Sequence, residues 1–192
     1  MSTFSPDPAS ARDRALAAID AEHKAFDAAL AALVGHLGLV RAHAVRPDPG
    51  LFERSLAYVA TFMDRFHHPN EDEHLFKALR ARTGEADGLL ATLQHDHAQG
   101  PGFFRDLARS LAGTRTGETH FEDFGAMLER YAREQLEHMR VEGRELLPLA
   151  QRVLKPSDWR AIDAAFRHNR DPLFGAGGGG LPGVIPRGTP RP

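Results

Sequence analysis

The sequence contains no cysteine among its 192 residues. This excludes disulfides, thiolate metal ligands, cysteine-held iron–sulfur clusters and cysteine nucleophiles. An excess of one charge is also missing, because 24 Lys and Arg residues are balanced by 26 Asp and Glu residues. No basic excess or Lys/Arg-rich tract indicates binding to nucleic acid or to a membrane surface. We therefore expect neither kind of partner.

Long apolar runs are also absent. The most apolar stretch, residues 28–40, contains His36 and two glycines and is too short to span a bilayer. The first ten residues include two prolines and an aspartate and have no apolar segment, so we expect no signal peptide and a cytoplasmic protein. At 42% hydrophobic and 26% charged residues, the composition is typical of a globular chain with a real core.

The clearest pattern in the sequence is the periodicity of an α-helix. Apolar residues recur at spacings of three and four along four long stretches, and no segment alternates with the period of a strand. The predicted helices cover residues 12–39, 51–82, 88–113 and 120–154, with a short fifth helix after Pro156. Pro69 predicts a kink in the second helix, and Gly100-Pro101-Gly102 predicts an interruption of the third.

These elements predict an all-α fold, an up-down-up-down four-helix bundle with a short C-terminal fifth helix. The expected domain covers residues 12–174. Residues 1–11 are expected to be a disordered lead, and the Gly/Pro-rich residues 175–192 a disordered tail.

The apolar stripe of each long helix is interrupted by a histidine, and in two helices a glutamate follows four residues later. Residues at i and i+4 lie on one face of a helix, so each such pair can point at one place between the helices. The interrupting residues are His23, His67, Glu71, His97, His138 and Glu142.

The pattern places four imidazoles and two carboxylates in one interior. Two unpaired buried carboxylates would cost several kcal/mol each, and a pair of metal ions removes that cost. Nitrogen and oxygen ligands without thiolate suit iron, and manganese or zinc less specifically. The alternative for any single histidine is an ordinary hydrogen-bonded core residue, and a lone His-x3-Glu is often a surface pair.

The sequence resembles a known family. The segments FHHPNEDEHLF (66–76), EHMRVEGRELLPLA (137–150) and AEHKAF (21–26) are similar to the signatures of hemerythrin-like, HHE cation-binding proteins, and residues 157–175 resemble the closing segment of bacterial members. The resemblance implies two iron ions in an oxygen-bridged di-iron centre. It implies that Glu71 and Glu142 bridge the irons and that the terminal ligands are His23, His67, His97 and His138.

Leu93 departs from the pattern of the oxygen carriers, which place a second histidine one turn before the third-helix histidine. Fewer protein ligands leave more open metal positions, and these favour reaction with O2, NO or peroxide over reversible carriage. We therefore expect a di-iron protein for sensing, storage or stress protection. The alternatives are enzyme-like peroxide scavenging or iron–sulfur repair, and a metal-free helical interaction module. Whether the protein is an enzyme, and which protein partner it has, stay open.

The missing ligand could come from His68, His74 or His95. We expect His68 to face Asp72 in a solvated or supporting role, and His95 to be a surface residue. His74 forms Glu-x-x-His with Glu71, the ferritin-like spacing, but the sequence has only one copy. Tyr131 is expected in the core or as a hydrogen-bond donor to a bridging oxygen. The other histidines are expected at the surface: His36, His43, His120 and His168.

Overall fold

The computed structural model describes residues 10–167, which form five helical segments joined by short connections, without a strand in that range. The prediction of an all-α fold is confirmed. The predicted tail and His168 lie outside the described residues, and so does the predicted lead apart from residues 10 and 11. We number the segments α1 (Ala11–Arg41), α2 (49–80), α3 (Asp87–Thr116), α4 (121–153) and α5 (Pro156–Arg167).

Local sequence signals set the helix ends. Ser10 caps α1 by accepting a hydrogen bond from the backbone N–H of Asp13, whose carboxylate accepts one in return from Ser10. Asp48 accepts a hydrogen bond from the backbone N–H of Leu51 at the start of α2. Gly117 ends α3 with a φ of 81°, a left-handed conformation that glycine adopts without a steric penalty.

Each long helix packs against the next one in the chain, and α1 also packs against α4. The fifth helix lies along α1 and contacts α2. Asp163 of α5 is buried and accepts a hydrogen bond of 2.6 Å from Arg14 of α1, which fixes one helix on the other. None of the helices within residues 10–167 is both long and apolar enough to cross a membrane.

Two apolar clusters divide the interior along the helix axes. One contains Leu33, Phe52 and Phe124 near one end of the long helices, and the other contains Ile19, Leu75 and Leu146 together with the apolar face of α5. The predicted histidines and glutamates fall between the two clusters in every long helix. The fold therefore holds a polar layer between two apolar layers.

The backbone departs from regular α-helix beside this polar layer. π-helical turns cover Met63–His67, Glu71–Phe76 and Glu142–Leu146. Pro69 lies between the first two turns, so the N–H that it lacks falls where the helical hydrogen bonds already change register. The predicted interruption of the third helix is wrong, because α3 continues through Pro101 as one helix of 30 residues.

Candidate metal centre

The six residues predicted from the interrupted stripes lie together. Five are buried, and His23 is half-buried at the edge of the layer. Two groups of possible metal ligands can be drawn from them, and both groups contain Glu71 and Glu142. One group is completed by His23 and His67, and the other by His97 and His138.

The histidines form two close pairs. The Nε2 atoms of His23 and His67 are 3.0 Å apart, and so are the Nε2 atoms of His97 and His138. Each pair joins two different helices, α1 with α2 and α3 with α4. Ring nitrogens so close, with both rings pointing into one interior, are arranged as neighbouring ligands of one ion would be.

The two glutamates lie between the pairs and divide their oxygens. Glu71 directs Oε1 to His67 Nε2 at 3.3 Å and Oε2 to His97 Nε2 at 3.6 Å. Glu142 directs Oε2 to His23 Nε2 at 3.3 Å and Oε1 to His138 Nε2 at 3.4 Å. Each carboxylate therefore offers one oxygen to each histidine pair.

These separations fit cations. Two ligands at right angles around an ion, with bonds of about 2.1 Å, are about 3.0 Å apart. Among the described residues, Glu71 Oε2 and both carboxylate oxygens of Glu142 are buried without a hydrogen-bond partner. Buried charged oxygens without partners cost several kcal/mol unless a cation or proton lies beside them. The site therefore has the ligand atoms and the spacing to hold metal cations.

Protonated histidines compensate the charge of the buried carboxylates. Burial lowers the pKa of His67, but the charge of Glu71 and the hydrogen bond with Glu22 outweigh this and raise it to about 10. Burial acts likewise on His138, where Glu142 outweighs it and raises the pKa to about 9. Burial lowers the pKa of His23 to about 4. A metal ion binding to His67 or His138 would therefore have to displace a proton, whereas His23 is already neutral.

Acidic residues support three of the histidines from behind. His67 Nδ1 lies 2.7 Å from Glu22 Oε2, and His138 Nδ1 lies 3.3 Å from Asp96 Oδ2. Both contacts favour the Nδ1–H tautomer, which leaves the Nε2 lone pair directed at the layer. His97 Nδ1 lies 3.2 Å from Asp72 Oδ1 without the alignment of a hydrogen bond.

Sequence reasoning missed these supporting acids, although it had a signal for them. Glu22, Asp72 and Asp96 each stand next to a candidate ligand in the chain: His23, Glu71 and His97. The prediction that Asp72 faces His68 is wrong, because its carboxylate lies beside His97 on another helix.

His68 is buried, with 6% of its surface exposed, so a solvated role for it is wrong. Its ring stacks on that of His97, with centroids 4.0 Å apart and planes 14° apart. His68, His97 and His138 form a third group of possible ligands. Burial, followed by the neighbouring imidazoles, keeps the pKa of His68 well below its usual value, so the ring is neutral.

The remaining singled-out residues lie elsewhere. His43, His95 and His120 are exposed, as predicted, and His74 is half-buried. The surface prediction for His36 is wrong, since its ring is half-buried against Phe52 with centroids 5.3 Å apart. Tyr131 is a core residue packed on Phe103.

A cleft of about 420 Å³ lies between α3 and α4 beside the His97–His138 pair. Leu93, Phe103 and Tyr131 give it an apolar wall, and His138 forms part of its lining. Asp96, Glu134 and Glu137 supply polar lining. The cleft therefore meets the polar layer at His138.

Fold and site together define an all-helical protein with a buried His/carboxylate cluster that could hold metal cations. A family model, the hemerythrin HHE cation-binding domain, matches residues 14–150. Because this match covers well over half of the sequence, the chain belongs to that family, and the predicted resemblance is confirmed. No curated protein and no solved structure matches the chain.

Proposed function

We propose that the protein holds a non-haem di-iron centre in the interior of its helical bundle. Manganese and zinc are weaker candidates for the metal. His23 and His67 would hold one ion, His97 and His138 the other, and Glu71 and Glu142 would bridge them. The up-down-up-down bundle and a cytoplasmic location belong to the same proposal.

The observation that carries the proposal is that the two oxygens of each buried carboxylate point to different histidine pairs. Glu71 and Glu142 each direct one oxygen to each of the two histidine pairs. A core hydrogen-bond network would give these oxygens donors, whereas three of the four have none among the described residues. Two cations shared by two carboxylates account for this arrangement.

The ligand we propose is O2, NO or peroxide, bound for sensing, storage or stress protection. Iron supplies redox-active, Lewis-acidic coordination of such small molecules. The protein supplies the nitrogen ligands, keeps water out with two apolar clusters and holds the imidazoles in one tautomer through Glu22 and Asp96.

Metal content tests the proposal. The protein loaded with ferrous iron without oxygen should hold about two ions per chain. On exposure to O2 or NO, a visible absorption band should appear. A stably folded protein that takes up no iron would contradict it and favour a metal-free interaction module.

The cleft favours a second candidate function, enzyme-like scavenging of peroxide. Leu93 in the cleft wall is apolar and cannot coordinate a metal. Because His138 lines the same cleft, a small reactant in it would lie next to the His97–His138 side. Iron–sulfur repair by release of iron is less well supported, because a chain without cysteine cannot hold a cluster by thiolate.

Turnover separates the two functions. A scavenger should consume excess peroxide over many cycles. His97→Ala should slow this at least about tenfold, because the buried His97 is a proposed metal ligand. The exposed His95→Ala on the same helix is the matched control. Equal rates for wild type and His97→Ala would rule out scavenging at this centre.

A further inference from the structure

His68 is buried yet has no evident structural role. Both its ring nitrogens are buried, and within residues 10–167 neither has a hydrogen-bond partner. Leaving two buried polar atoms unsatisfied costs free energy, which a leucine at the same position would avoid. An imidazole in such a place calls for a partner that binds nitrogen.

The neighbours of His68 show where that partner would lie. One nitrogen of each of His68, His97 and His138 lies within 4.8 Å of the others. The His68 ring lies flat against His97 and has its centroid 5.6 Å from that of His138. Its centroid is 5.7 Å from that of His67, and it shares no set of mutually close ligand atoms with His23. Because it is stacked on His97 and shares no such set with Glu71 or Glu142, its ring has to turn about its side-chain bonds to reach an ion held by His97 and His138.

The backbone is irregular where the two consecutive histidines are buried. In an α-helix, successive side chains diverge by about 100°. A π-helical turn ends at His67 and another begins at Glu71. A π-helical turn contains more residues, so successive side chains diverge somewhat less, and His67 and His68 are both buried here.

We infer that His68 is a third histidine ligand on the His97–His138 side, so that the two ions are held unequally. This inference rests on the proposed function. The His23–His67 side would have two histidines and the His97–His138 side three. The ligand that Leu93 cannot provide from α3 would then come from α2.

The test compares His68→Ala with the control His95→Ala, each loaded with ferrous iron and titrated against a chelator. Wild type and His95→Ala should hold about two ions per chain. His68→Ala should bind one of the two at least about tenfold more weakly, as expected when a ligand is lost. Circular dichroism of both metal-free variants checks that the helices remain.

A second variant separates coordination from packing. His68→Gly removes the ring and leaves space that free imidazole can fill. If His68 is a ligand, added imidazole should restore the second ion and the wild-type visible spectrum, whereas toluene of similar size should not. Restoration by both compounds, or by neither, overturns the inference.

Mössbauer spectra of the unaltered protein guard against variants that fail to fold. Unequal histidine numbers predict two doublets of equal area, and a single doublet overturns the inference. Equal iron affinity in His68→Ala and His95→Ala also overturns it while leaving the di-iron proposal intact. A wild-type protein that binds no iron overturns both.

Discussion

The two sides of the polar layer differ in how they are closed. On the His23–His67 side, His67 is backed by Glu22, whose side chain is only 12% exposed, and Phe166 of α5 packs edge-on against the His67 ring. On the His97–His138 side, the supporting Asp72 and Asp96 are 36% and 45% exposed. The cleft also lies on this second side.

This difference separates two tasks that a reactive metal centre has to combine. An ion whose ligands are buried and held by short hydrogen bonds is retained firmly, whereas an ion beside a cleft can meet a small reactant. The fifth helix contributes directly, because it covers the first side and leaves the second open. We therefore expect the supporting acids to matter more for metal affinity on the first side, and a small reactant to arrive at the second.

The largest effect on metal content should follow from neutralising Glu71 and Glu142, the two carboxylates that both sides share. In Glu71→Gln/Glu142→Gln, both sides lose their anionic oxygens, so metal content should fall from about two ions per chain to less than about 0.2. Metal analysis after loading and desalting measures this. Unfolding by urea should show that iron no longer stabilises the variant.

Two exposed glutamates on the same helical blocks provide the control. Glu73→Gln/Glu145→Gln removes the same charge from the chain without touching the layer, and should keep about two ions. A metal-free interaction module predicts a different result, since relief of the buried charges would make the first double variant as stable as wild type in every condition. That outcome would contradict the metal centre.

The pH dependence of the metal-free protein should be the next largest effect. His67 and His138 have pKa values raised to about 10 and about 9, so their protonated forms stabilise the fold fully below about pH 6.5. This stabilisation is lost as the pH rises to 9 and then 10. The free energy of unfolding, measured with urea and a chelator, should therefore fall between pH 6.5 and 10.

The metal-loaded protein provides the contrast. A metal ion replaces the proton on each Nε2, so the loss above pH 6.5 should disappear, and metal affinity should rise with pH over the same range. In the metal-free protein, His67 on the first side should keep its proton to higher pH than His138 on the second side. Parallel pH profiles with and without metal would show that the ion does not bind these nitrogens.

The sequence was sufficient for the residues whose position follows from a repeat. His67 with Glu71, and His138 with Glu142, interrupt apolar stripes in matching register, and helical spacing alone places each pair on one face. The family and the all-helical class follow from the same segments. These features are local, so no knowledge of packing was needed.

The parts that depend on backbone register or on contacts between helices could not be predicted in this way. Regular α-helical spacing predicts that His68 faces Asp72 in a solvated or supporting role, whereas π-helical turns flank it and its side chain is buried. The spacing rule pairs Asp72 with His68, but the Asp72 carboxylate lies 3.2 Å from His97 Nδ1 of α3. Pro101 predicts a break, but α3 stays helical through it because tertiary packing overrides local propensity.

The smallest predicted effect compares the acids behind the two sides. Glu22→Ala leaves the buried Nδ1 of His67 without its 2.7 Å partner and should weaken iron binding by about 10- to 100-fold. Asp96→Ala removes a longer contact, 3.3 Å, from a side chain that water already reaches, and should weaken it less than about tenfold.

Titration against a chelator measures both variants, with Asp20→Ala as the control, since Asp20 is an exposed acid of α1 paired with Lys24. The order of the effects matters more than their size. If Asp96→Ala weakens binding as much as Glu22→Ala, burial does not decide how well the supporting acid holds its histidine. The two sides would then differ only in access, and the retention of metal would be shared equally between them.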